Sequence, residues 1–346
     1  MTQNRLARLR ASLEEPLLVS NGVNVRYLVG FESSNAALLV EPEHVRLFSD
    51  FRYAEAGRAL EGVEFVETKR SLHAALAEHL SGRIGFEADD LTYGGYETLA
   101  AGGIELVPRR GLVEALRVVK DESELESMRR AAALTTAAYE RLAAEPFVGR
   151  RERDLAWRLE QLFHEVGADG PAFDAIVASG PNAARPHTVP GEREIEPGET
   201  VVVDAAARLD GYCSDCTRTF ATGTLPKRLA EAYAVCLEAQ LAGLEATRAG
   251  VAGSDADATA RDRVEEAGLG EAFGHGLGHG VGLDVHEAPR LSRESSDTLA
   301  AGNVVTVEPG IYLGGLGGIR IEDLVIVSEG DPEILTGSTK DLVTVS

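Results

Sequence analysis

The chain has 346 residues, 44% of them hydrophobic, and a formal net charge of −22 with a pI near 4.8. Its length exceeds that of one typical domain, so two domains, each with a core of its own, are expected. The negative charge argues against binding to nucleic acid or to an anionic membrane, because phosphate neutralisation needs clustered Lys and Arg. No apolar run approaches the ~20 residues of a membrane span, and residues 1–10 lack the apolar core of a secretory signal, which predicts a cytoplasmic protein.

The first 115 or so residues alternate short apolar runs with helical stretches. The apolar runs lie at 17–20, 36–40, 45–48, 63–66 and 83–86, and the helical stretches at about 51–60 and 71–80. This alternation is typical of an α/β arrangement. It predicts a smaller N-terminal α/β domain over residues 1–118.

A second domain is predicted over residues 119–346. Its first helix should run from Asp121 to about Ala144, because acidic residues fill the first turn. Further helices are predicted at 151–167, 226–249 and 255–267, the first of them with an apolar stripe of Trp157, Leu159, Leu162, Phe163 and Val166. Strand runs cluster at 200–220 and 304–327. The pattern predicts an α+β domain with helices outside and a curved antiparallel sheet inside.

Five potential metal ligands follow one another in this second domain. Asp204 closes the apolar run 200–204, and Asp215 lies on the return run 212–220, beyond a turn signal at 210–211. The two carboxylates are therefore predicted on paired strands. His279 lies in a glycine-rich segment, Glu308 ends the run 304–308, and Glu322 lies inside the run 318–327.

Four carboxylates and one imidazole indicate a dinuclear metal site. Carboxylates neutralise and bridge two divalent ions that lie roughly 3.5–4 Å apart. A water held between such ions becomes a hydroxide near neutral pH and can attack a polarised carbonyl, as in an amidohydrolase or a peptidase. A carboxylate-rich set without thiolate favours Mn²⁺, with Co²⁺, Fe²⁺ or Zn²⁺ as alternatives.

Nearby residues with other metal-binding or loop patterns have simpler interpretations. Cys213 and Cys216 are predicted to be buried thiols, because residues three apart on a strand point to opposite faces and cannot easily chelate or form a disulfide. His275 precedes His279 by four residues, but the intervening glycines disfavour a helix, so a structural role is predicted. The glycines of 274–282 lack the strand–turn–helix setting of a dinucleotide-binding loop.

The segments 204–220, 278–289, 307–312 and 318–323 together resemble the pita-bread metallopeptidases, and among them prolidase and aminopeptidase P. The resemblance covers about residues 120–346 and, more weakly, the N-terminal region. It implies a C-terminal pita-bread (creatinase/aminopeptidase-like) domain after a creatinase-like N-terminal domain, and a homodimer. It further implies that Asp204 binds one ion, that Asp215 and Glu322 bridge both, and that His279 and Glu308 complete the second.

The same resemblance implies roles for groups around the metals. His187 and His286 match histidines that contact the substrate or the tetrahedral intermediate, and Glu308 matches a proton shuttle. The predicted catalytic residues are therefore His187, His286 and Glu308. Arg290 matches an arginine that reaches the substrate carboxylate in some prolidases. Ala206 departs from the family pattern, which usually has glycine there, and removes no ligand.

The predicted function is metal-dependent hydrolysis of the Xaa-Pro bond, either in dipeptides or at peptide N-termini. A proline substrate needs a dedicated pocket, because its scissile nitrogen carries no N–H for ordinary backbone recognition. Alternatives are an ectoine-hydrolase-like or creatinase-like amidohydrolase of the same fold and a methionine aminopeptidase, which the extra N-terminal domain opposes. A non-catalytic peptide-binding protein should have broken ligands, and none is broken.

Overall fold

A computed structural model describes residues 2–346, and the chain divides into two units, Met1–Arg117 and Val118–Ser346. The helices of the first unit are α1 (Thr2–Arg10), α2 (Gly22–Val29), α3 (Ala54–Arg58), α4 (Leu72–His79), α5 (Tyr93–Ala101) and α6 (Glu114–Arg117). Its strands are β1 (Leu17–Val19), β2 (Ala36–Val40), β3 (Val45–Asp50), β4 (Glu64–Thr68), β5 (Arg83–Glu87) and β6 (Glu105–Arg109). Within residues 2–346 no helix is long and apolar enough to cross a bilayer.

The N-terminal unit is built on one six-stranded sheet with the order β4-β3-β2-β1-β5-β6. Strand β2 runs antiparallel to both of its neighbours, while the other three pairs are parallel. All five predicted apolar runs form strands, because their apolar side chains pack between the sheet and the helices. Phe48, Leu76 and Leu99 are at most 1% exposed in this core. The predicted helical stretch 51–60 is a 3₁₀ turn, Phe51–Tyr53, followed by the short helix α3.

The second unit has four longer helices and thirteen strands in its described residues. The helices are α7 (Glu122–Ala143), α8 (Glu152–Val166), α9 (Lys227–Ala246) and α10 (Gly253–Glu266). The strands are β7 (Gly170–Pro171), β8 (Ile176–Ser179), β9 (Thr200–Asp204), β10 (Ala207–Leu209), β11 (Tyr212–Cys213), β12 (Thr217–Ala221), β13 (Gly278–Gly280), β14 (Glu287–Leu291), β15 (Val304–Val307), β16 (Gly310–Leu313), β17 (Gly317–Arg320), β18 (Asp323–Ile326) and β19 (Glu333–Ile334). They form several small sheets, among them β12-β9-β8 and β14-β13-β15-β18-β19.

Helix α7 begins with a capping box and is anchored to the strands that carry the candidate ligands. The side chain of Asp121 accepts from the N–H groups of Ser123 and Glu124, and the Glu124 carboxylate accepts from the N–H of Asp121. Such a box satisfies donors that the first helical turn leaves open. Further along, the buried Tyr139 hydroxyl lies 2.7 Å from Cys216 O and 3.1 Å from Val203 O. The helix therefore fixes the two chain segments that hold Asp204 and Asp215.

Helix α8 confirms most of its predicted apolar stripe but not all of it. Leu159, Leu162 and Phe163 are fully buried, whereas the predicted stripe residue Trp157 is 59% exposed. Trp157 and Leu159 are two positions apart on a helix, which turns their side chains to well-separated directions. The prediction that Trp157 belongs to the core was wrong.

The structure corrects the predicted strands around Asp215 and Glu322. Strand β9 pairs with β12 in the register Thr217↔Asp204, and the segment between them forms a separate hairpin of β10 and β11. The hairpin turns at Asp210 (φ 50°) and Gly211 (φ 77°), the positive-φ pair of a type I′ turn. Asp215 therefore lies in the break between β11 and β12, and Glu322 in the break between β17 and β18. Because neither residue belongs to a strand, the side chains of Asp215 and Glu322 are not bound to the alternating directions of strand side chains.

Cys213 and Cys216 are free and buried, as predicted, and Cys236 is also free and buried. Cys213 ends β11, and its thiol lies 3.7 Å from Leu283 O. Cys216 lies just before β12, and its thiol lies 3.9 Å from Glu322 O. The two thiols thus have different backbone neighbours, and neither forms a disulfide.

Candidate metal centre

Three carboxylates meet where β9, β12 and β18 come together. Asp204, Asp215 and Glu322 each offer an oxygen, and these oxygens all lie within 4.8 Å of one another. Asp215 and Glu322 are buried, with relative exposures of 4% and 1%. Thr217, which pairs with Asp204 across the sheet, donates its hydroxyl to Glu322 Oε2 at 2.7 Å. The two strand breaks therefore aim their acids at one point beside the end of β9.

His279 and Glu308 complete the cluster from the neighbouring sheet. Thr306 in β15 accepts from the backbone N–H of His279 at 3.0 Å and donates to Glu308 Oε1 at 3.0 Å. The Nδ1 of His279 lies 3.0 Å from Gly280 O, which requires this nitrogen to carry the proton. The other ring nitrogen, Nε2, is 3.3 Å from Glu308 Oε1 and 3.7 Å from Asp215 Oδ2. The imidazole is thus oriented so that Nε2, once its proton is displaced, faces the acids and can bind a metal ion.

A buried arginine that was not among the predicted site residues lies behind the acids. Arg320 is 3% exposed and donates to Asp204 Oδ2, to the Thr217 hydroxyl at 3.1 Å and to the Tyr312 hydroxyl at 2.9 Å. Tyr312 in turn lies 2.8 Å from Nε2 of His275, whose Nδ1 is bonded to Gly276 O. A signal was present in the sequence, because Arg320 is a charged residue inside the predicted strand run 318–327, and a charge buried in such a run needs a charged partner.

The acids carry strongly perturbed pKa values. Burial, reinforced by the neighbouring carboxylates, raises the pKa of Asp215 and that of Glu322 well above the usual range. Burial also raises the pKa of Asp204, against the opposing charge of Arg320. Burial alone would lower the pKa of His279, but the hydrogen bond and charge of Glu308 outweigh it and raise that pKa to about 9. The reciprocal interaction lowers the pKa of Glu308 to about 2, although burial opposes it.

This pattern fits a group of divalent cations. Crowded buried carboxylates cannot all be ionised unless positive charge joins them, and cation binding would displace the protons that the raised pKa values imply. In addition, Asp204 Oδ1 is a buried oxygen without a hydrogen-bond donor among the described residues. Buried acceptors are rarely left unpaired, so an oxygen of this kind is suited to metal ligation.

All eight sequence-predicted site residues line one cavity of about 320 Å³. These residues are His187, Asp204, Asp215, His279, His286, Arg290, Glu308 and Glu322. His286 and His187 are exposed at its wall, and the ring centroid of His286 lies 4.4 Å from that of His279. Burial and the nearby His279 lower the pKa of His286. Ala206 is buried and does not belong to the cavity lining.

A larger open cavity of about 1140 Å³ adjoins the first one. The two share the lining residues His275, Gly276 and Ser292, so they lie next to each other. Arg228 and Arg293 are among the charged residues around the larger cavity.

The comparison with known families agrees with this geometry. The profile described as metallopeptidase family M24 matches residues 126–329, and that of the creatinase/prolidase N-terminal domain matches residues 5–119. The chain belongs to metallopeptidase family M24. Members of this family use divalent metals, and the acidic cluster of this M24 protein is compatible with them.

Relatives of this M24 metallopeptidase span its whole length. It is 33% identical over 332 residues to an Xaa-Pro dipeptidase of Pyrococcus horikoshii, covering 95% of this chain and 94% of that protein. Its structure is similar to that of an Xaa-Pro dipeptidase from Bacillus anthracis, with a TM-score of 0.96, 38% identity and complete coverage of both chains. It is also similar to an X-Pro aminopeptidase from Thermotoga maritima, with a TM-score of 0.88, 32% identity and coverage of 96% and 97%.

Proposed function

We propose that this metallopeptidase hydrolyses the Xaa-Pro bond, in dipeptides or at peptide N-termini, with two divalent ions, of which Mn²⁺ is the expected one. The observation that carries the proposal is the convergence of eight predicted side chains on one cavity of about 320 Å³. A volume of this order lies at the lower end of small-ligand sites. The likeness to proteins named Xaa-Pro dipeptidase and X-Pro aminopeptidase supports the proline specificity.

The five ligands divide between the two ions in this proposal. Asp204 would hold one ion, His279 and Glu308 would hold the other, and Asp215 and Glu322 would be ligands of both. When bound, divalent ions polarise the scissile carbonyl and make a water nucleophilic near neutral pH. The neighbouring residues hold the ligand side chains in position. Arg320 fixes Asp204, and Thr217 fixes Glu322.

The surrounding side chains bind the substrate and move protons. In this proposal Glu308 is the proton shuttle, whose carboxylate accepts the proton that the attacking water releases and delivers it to the leaving proline nitrogen. His187 and His286 donate hydrogen bonds to the substrate and to the oxygen on which charge develops. The lowered pKa of His286 keeps its ring neutral near pH 7, with one N–H to donate.

Two substrate lengths compete within this proposal. Arg290 lines the catalytic cavity, where a guanidinium could bind the proline carboxylate of a dipeptide through paired, charge-assisted hydrogen bonds. The adjoining cavity, which meets the first at His275, Gly276 and Ser292, leaves room for residues that follow proline in a longer peptide. The first observation favours a dipeptidase and the second an aminopeptidase.

One assay series tests both the reaction and the substrate length. Chelator-treated enzyme should be inactive on Ala-Pro and regain activity with Mn²⁺, since catalysis depends on the ions. For a dipeptidase, Ala-Pro should be a better substrate than Ala-Pro-Ala, and Arg290→Ala should raise KM for Ala-Pro by roughly 10-fold to 100-fold, the loss of a charge-assisted hydrogen bond. Arg263→Ala serves as the control, because Arg263 is exposed and pairs with Glu266.

Two outcomes would change the assignment. If the wild type prefers Ala-Pro-Ala and Arg290→Ala affects both peptides equally, the protein is an aminopeptidase. If neither peptide is cleaved with Mn²⁺, Co²⁺, Fe²⁺ or Zn²⁺, the Xaa-Pro proposal fails.

We further propose that residues 1–118 form the creatinase-like domain and residues 119–346 the catalytic domain. We also propose that the protein is a homodimer, which light scattering would test.

A further inference from the structure

We infer that Lys120 is a positioning residue, whose buried ion pair with Glu287 holds the loop that presents His286 to the catalytic cavity. This loop, residues 281–286, is called the His286 loop below. The inference rests on the proposed function, because it assigns Lys120 a role through His286. Lys120 itself does not line the catalytic cavity.

The ion pair is almost fully buried. Lys120 Nζ donates to Glu287 Oε2 at 3.0 Å, and the two side chains are 1% and 7% exposed. The other carboxylate oxygen, Glu287 Oε1, accepts from the backbone N–H of Asp284 at 3.1 Å, and Asp284 O accepts from the N–H of Gly282 at 2.9 Å. One carboxylate therefore joins the ammonium group to the backbone of the His286 loop.

The His286 loop depends on this side chain for its shape. The chain leaves β13 after Gly280 and rejoins the sheet in β14 at Glu287, directly opposite Gly280, with an irregular register at that point. The intervening residues belong to no strand. A side chain at Gly282 would place its Cβ 2.6 Å from Glu287 Oε1, so the carboxylate fills the space against the loop backbone. Val304 O and the N–H of Cys213 hold the start of the loop through Val281 and Gly282, and the Glu287 side chain adds the contact at Asp284.

Lys120 is itself held by the sheet that carries candidate ligands. Its backbone N–H donates to Gly302 O at 2.9 Å, and Val118 O accepts from the Asn303 side chain at 3.0 Å. Asn303 directly precedes β15, the strand that leads to Glu308. The backbone of Lys120 is therefore held in place. Through Glu287, its ammonium group holds the His286 loop in position relative to the strand that leads to Glu308.

Removing the ammonium group should displace the loop. Removing one partner of a buried ion pair is strongly unfavourable for the charge that remains, so Glu287 would take up a proton or turn away, and either change weakens its hold on Asp284. His286 would then lose its place beside His279. A misplacement of about 1 Å at a catalytic group can lower the rate by about 100-fold.

A double-mutant cycle between Lys120 and His286 tests the inference. Lys120→Met should retain the wild-type metal content and lower kcat/KM for Ala-Pro by about 10-fold to 100-fold, the range expected for misplacement of a catalytic group. In a His286→Ala background the same substitution should change kcat/KM by less than about twofold, because the group that Lys120 positions is already absent. Lys120→Arg should restore part of the activity. Lys227→Met, an exposed lysine paired with Glu231, should have no effect in either background.

The outcomes separate this inference from the proposed function. If Lys120→Met lowers kcat/KM by the same factor in both backgrounds, or leaves the wild-type value unchanged, the positioning role is wrong. Should Lys120→Met not fold, Glu287→Gln takes its place in the same cycle, because it removes the charge of the ion pair and leaves the N–H of Asp284 with a weaker acceptor. If the wild type cleaves neither Ala-Pro nor Ala-Pro-Ala, or His286→Ala retains full activity, the failure lies in the proposed function.

Discussion

Asp323, the residue after Glu322, should be the most costly conservative substitution outside the catalytic cavity. It is fully buried and accepts four hydrogen bonds, two at each oxygen. Arg218 at 2.9 Å and Thr336 at 2.9 Å donate to Oδ1, while Gln240 at 3.0 Å and Lys340 donate to Oδ2. Through Lys340 and Thr336 it ties the C-terminal segment to the strand break that carries Glu322.

Asp323→Asn keeps the shape of the side chain and removes the charge. Either orientation of the amide places its NH₂ group against two donors, and Arg218 and Lys340 lose their common counter-charge. Removing one partner of a buried ion pair costs about 3–5 kcal/mol. Arg218 also donates to the carbonyl of Ser338, so we expect a loss of about 3 kcal/mol, a large part of the 5–15 kcal/mol of a typical protein.

Urea unfolding of the chelator-treated protein measures this loss without the contribution of bound metal. Trp157 is the sole tryptophan and lies in α8 of the same unit, so its fluorescence reports the relevant transition. Glu333→Gln is the matched control, because Glu333 pairs with Arg129 at a half-exposed surface site, where about 0–1 kcal/mol is expected. A loss in Asp323→Asn no larger than that of the control would refute the reasoning.

The pH dependence provides a second check on Asp323. Burial raises the pKa of Asp323, but the charges of Arg218 and Lys340 outweigh this and hold the pKa below its usual range. A lowered folded-state pKa stabilises the protein above the unfolded value, near 3.9, and this contribution is lost as the pH falls through the folded-state pKa. The stability difference between wild type and Asp323→Asn should therefore shrink below about pH 4.

Two further predictions concern the candidate ligands and the N-terminal unit. Asp215→Asn should bind fewer ions and lose activity by orders of magnitude, while Asp210→Asn, in the type I′ turn, should retain both, and metal analysis with Ala-Pro assays distinguishes them. Burial raises the pKa of Glu87 to about 7, although the N–H groups of Asn21 and Ser20 oppose the shift. The folded state therefore keeps a proton that the unfolded chain releases, so stability should fall by on the order of 2–3 kcal/mol between about pH 4.5 and 7. Hydrogen exchange in peptides 17–24 and 83–90 should show this slope, and an equally steep slope in Glu87→Gln would contradict it.

The amino-acid sequence by itself determined the local structure and the candidate chemistry. The helix of Asp121 is encoded by its capping residues, and the strands of the N-terminal unit by apolar runs, because both depend on neighbours a few residues away. The order of four acids and one histidine indicated the metal chemistry for a similar reason, since ligand type is a property of the residue itself.

Only the tertiary structure decided how distant segments meet. The strand of Asp204 pairs with residues 217–221, and the hairpin between them joins β7 in a different sheet, so Asp215 lies in a break that the apolar pattern does not reveal. Arg320 contacts Asp204 across 116 residues, and Lys120 reaches Glu287 across 167. Alternation along a strand specifies which face is buried, but it does not specify which strand lies alongside or which buried charges meet there. Those choices follow from the packing of the whole domain, where the cost of an unpaired buried charge selects partners from anywhere in the chain.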